Sequence, residues 1–492
     1  MNATLNFIPW FETAPAPLLS ILTLLPLLGA LLVWKTPDLM LARRLSAIVA
    51  AVCVALGFLI LHYIDPEFEA VQLGERVSFL GLSYTVGVDA SNVLFLPLCP
   101  TLAFLLLFYL RLTPYHDDKQ FLACVLAYLG ITLGAFSALN LMQFWLWCAL
   151  ELVPMWWLTA RRGTGADRVK VAGLLLRYWG AALGMILICF LLIAFSEQGS
   201  AGMLTFDWQT LRANVSAMHY KVLVFVLLFF AFAIRMPLFP FHAWLPLVAE
   251  RGPVGSLMIF AVGMKLGVYG MVRFILPLVP EAARDWAPFA LTLGLISIFY
   301  GALLALMQIN MRRLLAFAVL SHTGLLVVGI FSFSPYGLEG SILLSVAYGL
   351  ATAGMLFSVG LIYQRTGTAI IPRLGSLFDS NTAIGLLFLI SALSTMVMPG
   401  TPGYDAAHLL LEGVIEEDGW WLAIVMLTGN LLAAAFLLRA FQQIFIAQSR
   451  RAVHPDRSVP RRMHEEVIIA VTICGFLIIT GFYGTPELNL ID

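Results

Sequence analysis

The feature that most constrains this chain is a long series of apolar runs joined by short polar connections. About fourteen of the runs are roughly 17 to 25 residues long, the length that an α-helix needs to cross the hydrocarbon core of a bilayer. Only helices and closed barrels can satisfy their backbone hydrogen bonds in that environment, and runs as long and continuous as these are typical of helices. The pattern therefore predicts an all-α membrane protein with about fourteen transmembrane helices.

Composition agrees with this class and excludes others. Hydrophobic residues make up 61% of the chain, charged residues 11%, and the mean hydropathy is +0.93, which is too apolar for a soluble globular domain. The 28 basic and 28 acidic residues balance, so no overall charge attracts nucleic acid. Because the connections are short, we expect one polytopic domain over residues 1–492. We place its spans near residues 18–34, 45–64, 92–112, 121–139, 141–160, 169–195, 220–235, 254–276, 287–308, 313–331, 340–364, 382–399, 420–446 and 465–484.

The positions of lysine and arginine predict the orientation of the spans. Connections after odd-numbered spans are rich in these residues, including the basic segment at 450–462, whereas the other connections carry acidic groups such as Glu67, Glu69 and Glu416. Cytoplasmic loops carry the excess of positive charge, so both termini are predicted to face away from the cytoplasm. The N-terminal segment has no basic stretch and includes Glu12, so we expect the first span not to be cleaved as a signal peptide.

The six cysteines predict neither a metal site nor a disulfide framework. All of them lie in apolar runs, and none shows the CxxC spacing of a metal or redox motif. Buried cysteines of this kind act as small hydrophobic side chains. They are Cys53, Cys99, Cys124, Cys148, Cys189 and Cys474.

The stretch from Phe229 to Phe274 is the strongest candidate for a functional region. Arg235 ends one apolar run, three prolines at 237, 240 and 246 interrupt the helix, and Lys265 lies at the centre of the next run. Charges inside membrane spans are costly and usually face a protein interior or a water-filled path. Helix breaks at membrane depth are likewise tolerated where the backbone lines a cavity. The alternative is that both cations only form structural ion pairs.

A second interrupted run suggests an internal repeat. The run at 382–415 is broken by the sequence PGTPG at 399–403, five spans after the first break. With the same offset, Lys265 in the eighth span corresponds to Arg439 in the thirteenth. Paired broken helices at corresponding positions are typical of transporters built from inverted repeats. The alternative is that proline is simply common in membrane helices.

Several collinear segments resemble one protein family, the antiporter-like membrane subunits of respiratory complex I. Its relatives include subunits of Mrp-type sodium/proton antiporters, membrane-bound hydrogenases and bicarbonate-accumulating complexes. The similar segments are Ala231–Pro246 (AFAIRMPLFPFHAWLP), Gly263–Phe274 (GMKLGVYGMVRF), Gly294–Gly324, Tyr348–Gly360 and Pro399–Gly403, together with Asp89 before the third span.

The resemblance implies fourteen helices, two inverted five-helix repeats, broken helices 7 and 12, and a proton path along a central polar axis. Helices 1–3 would occupy residues 1–115, helices 4–8 residues 116–280, helices 9–13 residues 281–447, and helix 14 residues 448–492. It also implies a multi-pass protein of the bacterial inner membrane that assembles with other membrane subunits and with a partner module supplying redox or other chemistry.

The family's functional positions are only partly present. Lys265 matches the central lysine of the eighth helix, but Arg235 replaces the usual lysine of the seventh, and arginine stays charged in almost any environment. Ala149 and Ala407 stand where the family has glutamates, and Tyr348 stands at a common histidine position. The predicted proton-path residues are Glu151, Arg177, Arg235, His242, Lys265, His322, Asp405, His408 and Arg439.

Glu151 and Arg177 lead to a more specific hypothesis. Glu151 lies two positions after Ala149, and Arg177 lies two positions after Leu175, where our alignment places a family lysine. Two residues rotate a side chain by about 200° around a helix, so an acid and a base that shifted together would keep their pairing. We therefore predict that Glu151 and Arg177 lie within ion-pair reach, with Arg235 as a competing partner. The alternatives are a local helix distortion that restores the usual geometry, or two unrelated polar residues that face a neighbouring subunit.

Three functions are consistent with these residues. The first is a proton-translocating subunit of a complex I-like energy-converting complex. The second is a proton-conducting subunit of an inorganic-carbon accumulating complex. The third is a structural subunit that does not conduct. No catalytic residue, cofactor or metal ligand is predicted, so redox chemistry would belong to partner subunits.

Overall fold

The computed structural model describes residues 7–68, 70–79, 82–111, 118–201, 205–213, 220–253, 260–448, 463–482 and 490. The basic segment at 450–462, Glu69 and the first residues of the predicted eighth span, 254–259, lie outside the described residues. Within the described part the elements are, in chain order, β1 (Phe7–Pro9), α1 (Trp10–Thr13), α2 (Leu18–Lys35), α3 (Leu39–Tyr63), β2 (Val71–Phe79), β3 (Leu82–Val88), α4 (Phe95–Arg111), α5 (Lys119–Ser137), α6 (Leu141–Arg162), α7 (Arg168–Ala201), α8 (Trp208–Ala213), α9 (Lys221–Arg235), α10 (Trp244–Arg251), α11 (Phe260–Leu278), α12 (Pro280–Asp285), α13 (Ala287–Leu306), α14 (Met311–Ile330), α15 (Pro335–Thr366), α16 (Thr382–Thr395), α17 (Pro402–Asp418), α18 (Trp420–Ile446) and α19 (Met463–Phe482).

Long apolar helices dominate the fold, as predicted. Eleven helices of the described part are long and apolar enough to cross a membrane. Two further apolar helices, α4 and α16, are shorter, and α9 has 15 residues. Each of the fourteen predicted spans coincides with one of these helices. The membrane class is therefore confirmed, while the count of fourteen crossings stays a prediction.

Polar side chains at the loop boundaries explain where several helices begin. Asp38 accepts hydrogen bonds from two backbone N–H groups in the first turn of α3, and Asp118 does the same for one N–H of α5. Asn140 and Asn310 cap α6 and α14 in the same way. A cap satisfies donors that have no partner inside the helix, which matters most where apolar surroundings exclude water.

Both predicted breaks are present, and they share one hydrogen-bond pattern. After α9 the Leu238 N–H donates to the carbonyl of Ala233 at 2.9 Å, and after α16 the Met398 N–H donates to the carbonyl of Leu393 at 3.1 Å. In each case the donor reaches five residues back instead of four, which ends the α-helix. The chain then turns and resumes as a second helical segment, α10 or α17. Prolines and glycines in these turns prevent a continuous helix.

A second recurring contact is also consistent with an internal repeat. The segment before α6 pairs with the segment after α7 through a two-bond bridge between Asn140 and Asp207. The segment before α14 pairs with the segment after α15 through the same kind of bridge, between Asn310 and Ile370. In a five-helix repeat each bridge would join the start of the second helix to the end of the third. The repeat boundaries at 280 and 447, and the inverted orientation, stay predictions.

A small β-sheet lies outside the helices and was not predicted. Strand β1 pairs in parallel with β2, and β2 and β3 form an antiparallel hairpin. The sequence VQLGERVSF followed by LSYTVGV contains the alternation and β-branched residues typical of a hairpin. The prediction rested on the apolar runs alone, so it contained no strands between the second and third spans.

Candidate functional site

The centre of the first predicted repeat is a fully buried ion pair between Glu151 on α6 and Arg235 at the end of α9. Arg235 Nη2 lies 2.5 Å from Glu151 Oε2, and both side chains are at most 1% exposed. The Tyr128 hydroxyl donates to the other carboxylate oxygen at 2.6 Å. A buried ion pair needs this kind of additional hydrogen bonding, because desolvation of two charges otherwise offsets their attraction. The guanidinium Nε and Nη1 have no hydrogen-bond partner within the described residues.

Aromatic rings and one glycine shape the surroundings of this pair. The Arg235 guanidinium lies 4.5 Å from the ring centroid of Trp179 on α7, within the range of a cation–π contact. A methyl group placed on Gly263 of α11 would overlap the Tyr128 hydroxyl and the Glu151 carboxylate. The absence of a side chain at Gly263 therefore lets α11, which carries Lys265, approach the acid closely.

The predicted pair between Glu151 and Arg177 is wrong. Arg177 lies on the exposed face of α7 and has no ion pair or hydrogen bond within the part of the chain that the structure describes, whereas Leu175 is buried. The competing partner, Arg235, takes the acid instead. The reason is rotational position: on α7 it is Trp179, not Arg177, that faces the Glu151 site.

Lys265 forms the second part of the site, together with Tyr348 of α15 and His322 of α14. The ammonium group of Lys265 lies 5.9 Å from the Tyr348 ring centroid, and that ring stacks on His322 with centroids 4.5 Å apart. All three residues are buried, and no acid pairs with the lysine among the described residues. Both imidazole nitrogens and the Tyr348 hydroxyl lack hydrogen-bond partners there. Buried polar groups of this kind are usually satisfied by ordered water.

A small cavity lies beside Lys265. It measures about 10 Å³ and is also lined by Met236, Thr323 and Thr352. Met236 directly follows Arg235 in the chain, so the segment that carries the arginine borders this cavity. Its size is close to the minimum for one water molecule, and two threonine hydroxyls line it.

A second cavity of about 40 Å³ is lined by Tyr348. Its lining includes Ala407, Leu410 and Asn430. The Asn430 amide donates to the carbonyl of Met396 at the second helix break, and its oxygen has no partner within the described residues. Ala407 is the position where the resemblance led us to expect a glutamate, so this cavity occupies part of the space that such a side chain would fill.

His242 lies in the first helix break, on a short 3₁₀ turn at Phe241–Ala243. Its ring contacts Phe239 and Tyr300, with centroids 6.1 and 5.2 Å away. The Nδ1 atom is buried and has no partner in the described part of the chain. His242 therefore belongs to the broken segment but contacts neither Arg235 nor Lys265 in the interactions described.

The remaining predicted path residues lie away from this axis. His408 is 68% exposed and faces Glu412, 3.9 Å away on the same helix. Asp405 is only half-buried in the first turn of α17. Arg439 is exposed and donates to the carbonyl of Leu306 at 2.7 Å, which caps the end of α13. The correspondence between Arg439 and Lys265 that the offset of five spans suggests stays a prediction.

A second, partly buried ion pair joins Asp89 to Arg273 of α11. The guanidinium donates to Asp89 at 2.5 Å and to the Tyr269 hydroxyl at 3.0 Å, and it lies over the ring of Trp208. Asp89 and Arg273 line a cavity of about 350 Å³ that also contacts Arg212. Arg273 was not predicted as a site residue, although Asp89 was noted as matching the family.

The sequence carried a signal for only some of the site residues that were not predicted. Tyr348 was noted as a departure from the family but was not assigned to the path. Tyr128, Trp179 and Asn430 lie in apolar runs where aromatic and amide residues carry no positional signal, so only their contacts identify them.

Comparison with known proteins agrees with this architecture. Residues 138–433, well over half of the chain, match the family described as NADH:quinone oxidoreductase/Mrp antiporter, TM. The chain is 29% identical over 450 residues to NADH-quinone oxidoreductase subunit M of Rickettsia bellii (strain RML369-C), covering 88% of each protein. It is 31% identical over 488 residues to NAD(P)H-quinone oxidoreductase chain 4 1 of Synechococcus sp. (strain JA-3-3Ab), covering 96% of this chain and 90% of the relative.

A solved structure shows the same similarity in three dimensions. A chain of respiratory complex I from Thermus thermophilus with bound NADH superposes with a TM-score of 0.83 at 26% identity, covering 96% of this chain and 98% of that one. The family match and the relative above 30% identity each span most of the chain. This protein therefore belongs to the NADH:quinone oxidoreductase/Mrp antiporter transmembrane family.

Proposed function

We propose that this chain is the subunit M-type proton-translocating membrane subunit of a complex I-like NADH:quinone oxidoreductase. The similarity of sequence and fold supports the family, and one observation of the site supports conduction. Lys265 is a buried cation with no acidic partner among the described residues, next to a water-sized cavity and a histidine whose ring nitrogens lack partners. A structural lysine at this depth would be expected to pair with an acid.

The proposed path is shorter than the set of residues predicted from sequence. It runs from Tyr128 and Glu151 past Arg235 to Lys265, and then to Tyr348 and His322. Glu151, Lys265 and His322 can each bind and release a proton, whereas Arg235 stays charged and acts as a fixed electrostatic partner. His242 would lie near one mouth of the path, in the broken segment. Arg177, Asp405, His408 and Arg439 are left out because of their exposed or half-buried positions.

A mechanism follows from what happens to Arg235 when its partner Glu151 takes up a proton. While Glu151 is ionised, it pairs with Arg235 and neutralises it. Protonation of Glu151 would leave Arg235 uncompensated, and its field would disfavour a second positive charge on Lys265. A proton on Lys265 would then move towards His322 through water in the polar region around Tyr348. After that proton leaves, Glu151 is protonated and Lys265 is neutral, and transfer of the Glu151 proton to Lys265 would restore the starting charges.

The orientation belongs to the same proposal. We infer that the protein lies in a bacterial inner membrane with both termini on the non-cytoplasmic side. The asymmetric distribution of lysine and arginine between alternate connections supports this orientation.

The test is proton translocation by the intact complex in proteoliposomes after Lys265→Met. Methionine keeps the length and removes the charge, so we expect normal assembly and a loss of translocation of at least about tenfold. Lys221→Met is the matched control, because Lys221 pairs with the exposed Glu281 at 2.7 Å, away from the axis. Unchanged translocation in Lys265→Met would exclude the lysine from the path, and loss of assembly alone would assign it a structural role.

The second candidate, a subunit that does not conduct, is favoured by one observation. The cavity at Ala407 has no carboxylate, and the nearest acids of α17 do not point into it. The same Lys265→Met experiment distinguishes the two, because a structural subunit would leave translocation by the complex unchanged.

A further inference from the structure

One face of α7 presents to the outside of the helix bundle a charge that has no partner among the described residues. Arg177 is exposed on this face, beside Leu176, whose side chain is 45% exposed. It lies nine residues after Arg168, where the helix begins, so it is about 13 Å further along the axis at 1.5 Å per residue. The apolar span Arg168–Ser196 is about 43 Å long at the same rise, so Arg177 lies inside the span, nearer its N-terminal end. A charge facing lipid there costs several kcal/mol.

The residues around Arg177 form a continuous seam along the helix. Positions on the seam recur at intervals of three or four residues, the spacing by which one helix packs along another. Its members are Gly173, Arg177, Gly180, Gly184, Ile188, Leu191 and Phe195, all exposed or half-buried. The seam spans about 33 Å at the rise of an α-helix, which is the full thickness of a bilayer core.

Three glycines leave room at the end of the seam that carries the arginine. A methyl group placed on Gly173, Gly180 or Gly184 would have no atom of the described protein within 4 Å. Glycines elsewhere in the bundle mostly serve close contacts within the chain, as Gly263 does. In membranes, small residues on a helix face allow the backbone of a second helix to approach closely.

We propose that this face of α7 docks a transmembrane helix of a neighbouring membrane subunit, and that this helix carries a carboxylate opposite Arg177. The charge selects the chemistry, because a carboxylate is the side chain that pairs bidentately with guanidinium in an apolar environment. The glycines determine the geometry, because they allow the partner helix to come near enough for that pair to form. The inference needs a multi-subunit membrane complex but does not depend on proton conduction by this chain.

The main rival is that Arg177 faces lipid. Helical side chains point towards the N-terminus of their helix, so the guanidinium could extend towards the membrane surface near Arg168 and bind a lipid phosphate. A partner helix and lipid predict opposite effects when the charge of Arg177 is removed. Loss of a lipid-facing charge relieves a cost, whereas loss of a paired charge leaves the partner's carboxylate buried without a counter-ion.

The experiment measures how much of the subunit co-purifies with the intact complex, for Arg177→Leu, Arg177→Lys and Gly180→Leu. We expect Arg177→Leu and Gly180→Leu to lower the assembled fraction by roughly tenfold or more, and Arg177→Lys to restore part of it. Gly475→Leu in α19 is the matched control, because Gly475 also has no neighbour within 4 Å and should tolerate leucine. Thermal unfolding of each isolated subunit in detergent is measured in parallel and should not change.

Two results would overturn the proposal. If Arg177→Leu assembles as well as the wild type or better, the arginine faces lipid. If Arg177→Leu lowers the unfolding temperature of the isolated subunit, the side chain acts within this chain and not at an interface.

Discussion

At the scale of single residues, the main chemical departure from the family's pattern is that Glu151 pairs with an arginine, Arg235, at a position where the family usually has a lysine. A lysine at position 235 could release its proton when the acid is protonated, whereas arginine keeps its charge. The acid is held from two sides, by the guanidinium at 2.5 Å and by the Tyr128 hydroxyl at 2.6 Å. Proton exchange in this part of the axis is therefore expected to depend on Glu151, with Arg235 determining how strongly its charged form is favoured.

This arrangement predicts strong coupling between two substitutions. Glu151→Gln and Arg235→Gln should each destabilise the isolated subunit by about 3–5 kcal/mol, because each leaves the other charge buried without a partner. The double variant should lose much less than the sum. Thermal or denaturant unfolding in detergent measures this cycle. The matched cycle of Glu151→Gln with Arg177→Gln should be additive, and an equal coupling energy in the two cycles would contradict the assigned pair.

At the scale of secondary-structure elements, the site depends on how closely α11 approaches α5 and α6. Gly263 faces Tyr128 and Glu151 at a distance that leaves no room for a side chain. Lys265 follows Gly263 by two residues, so the position of the lysine is coupled to the acid through the backbone of α11. The helix break before α10 then brings Met236 to the same cavity.

Gly263→Ala tests this packing. In an exposed helix, alanine stabilises relative to glycine by about 1 kcal/mol. At Gly263 the added methyl group would overlap the carboxylate, so we expect destabilisation of about 1–3 kcal/mol and reduced translocation. Gly475→Ala is the matched change without a neighbour within 4 Å and should be neutral or slightly stabilising. A Gly263→Ala subunit as stable as the control would show that α11 can shift away without consequence.

At the scale of the whole molecule, a buried carboxylate joins strand β2 to the start of helix α2. Glu75 on β2 is 3% exposed and accepts hydrogen bonds from the backbone N–H groups of Leu19 and Ser20 at the start of α2, at 2.9 and 3.2 Å. The Ser20 hydroxyl donates to it as well. Burial raises the pKa of Glu75 above its ordinary range, and the hydrogen bonds from Ser20 and Leu19 oppose this effect only in part.

The raised pKa of Glu75 predicts a pH dependence of stability. The folded protein holds this proton to higher pH than the unfolded chain does, so the stabilising contribution is complete below the unfolded pKa and is lost as pH rises through the folded value. The unfolding temperature of the wild type should therefore fall relative to Glu75→Gln between about pH 4 and neutral pH. Glu67→Gln, at an exposed carboxylate, is the control. A difference that is constant with pH, or that grows in the opposite direction, would contradict the raised pKa.

Much of the fold could be predicted from local pattern alone. The apolar runs identified every long helix of the described part, and the prolines near 237 and 399 identified both breaks, because proline removes a backbone donor wherever it occurs. Lys265 and His322 were recognised as site residues and are buried together. The β-hairpin was missed, although its residues carry a recognisable alternation.

What the sequence by itself determined was the class of protein and the presence of costly charges inside its spans. Only the tertiary structure decided which charges meet. The reason is that a helix such as α7 is apolar on nearly all its faces, so its sequence carries no periodic signal for the face that turns inward. Packing turned Trp179 towards Glu151 and left Arg177 outside, and it brought Arg235, 84 positions along the chain from Glu151, to the acid. Contacts between helices depend on these rotations, and the rotations are set by neighbours that lie far apart in the sequence.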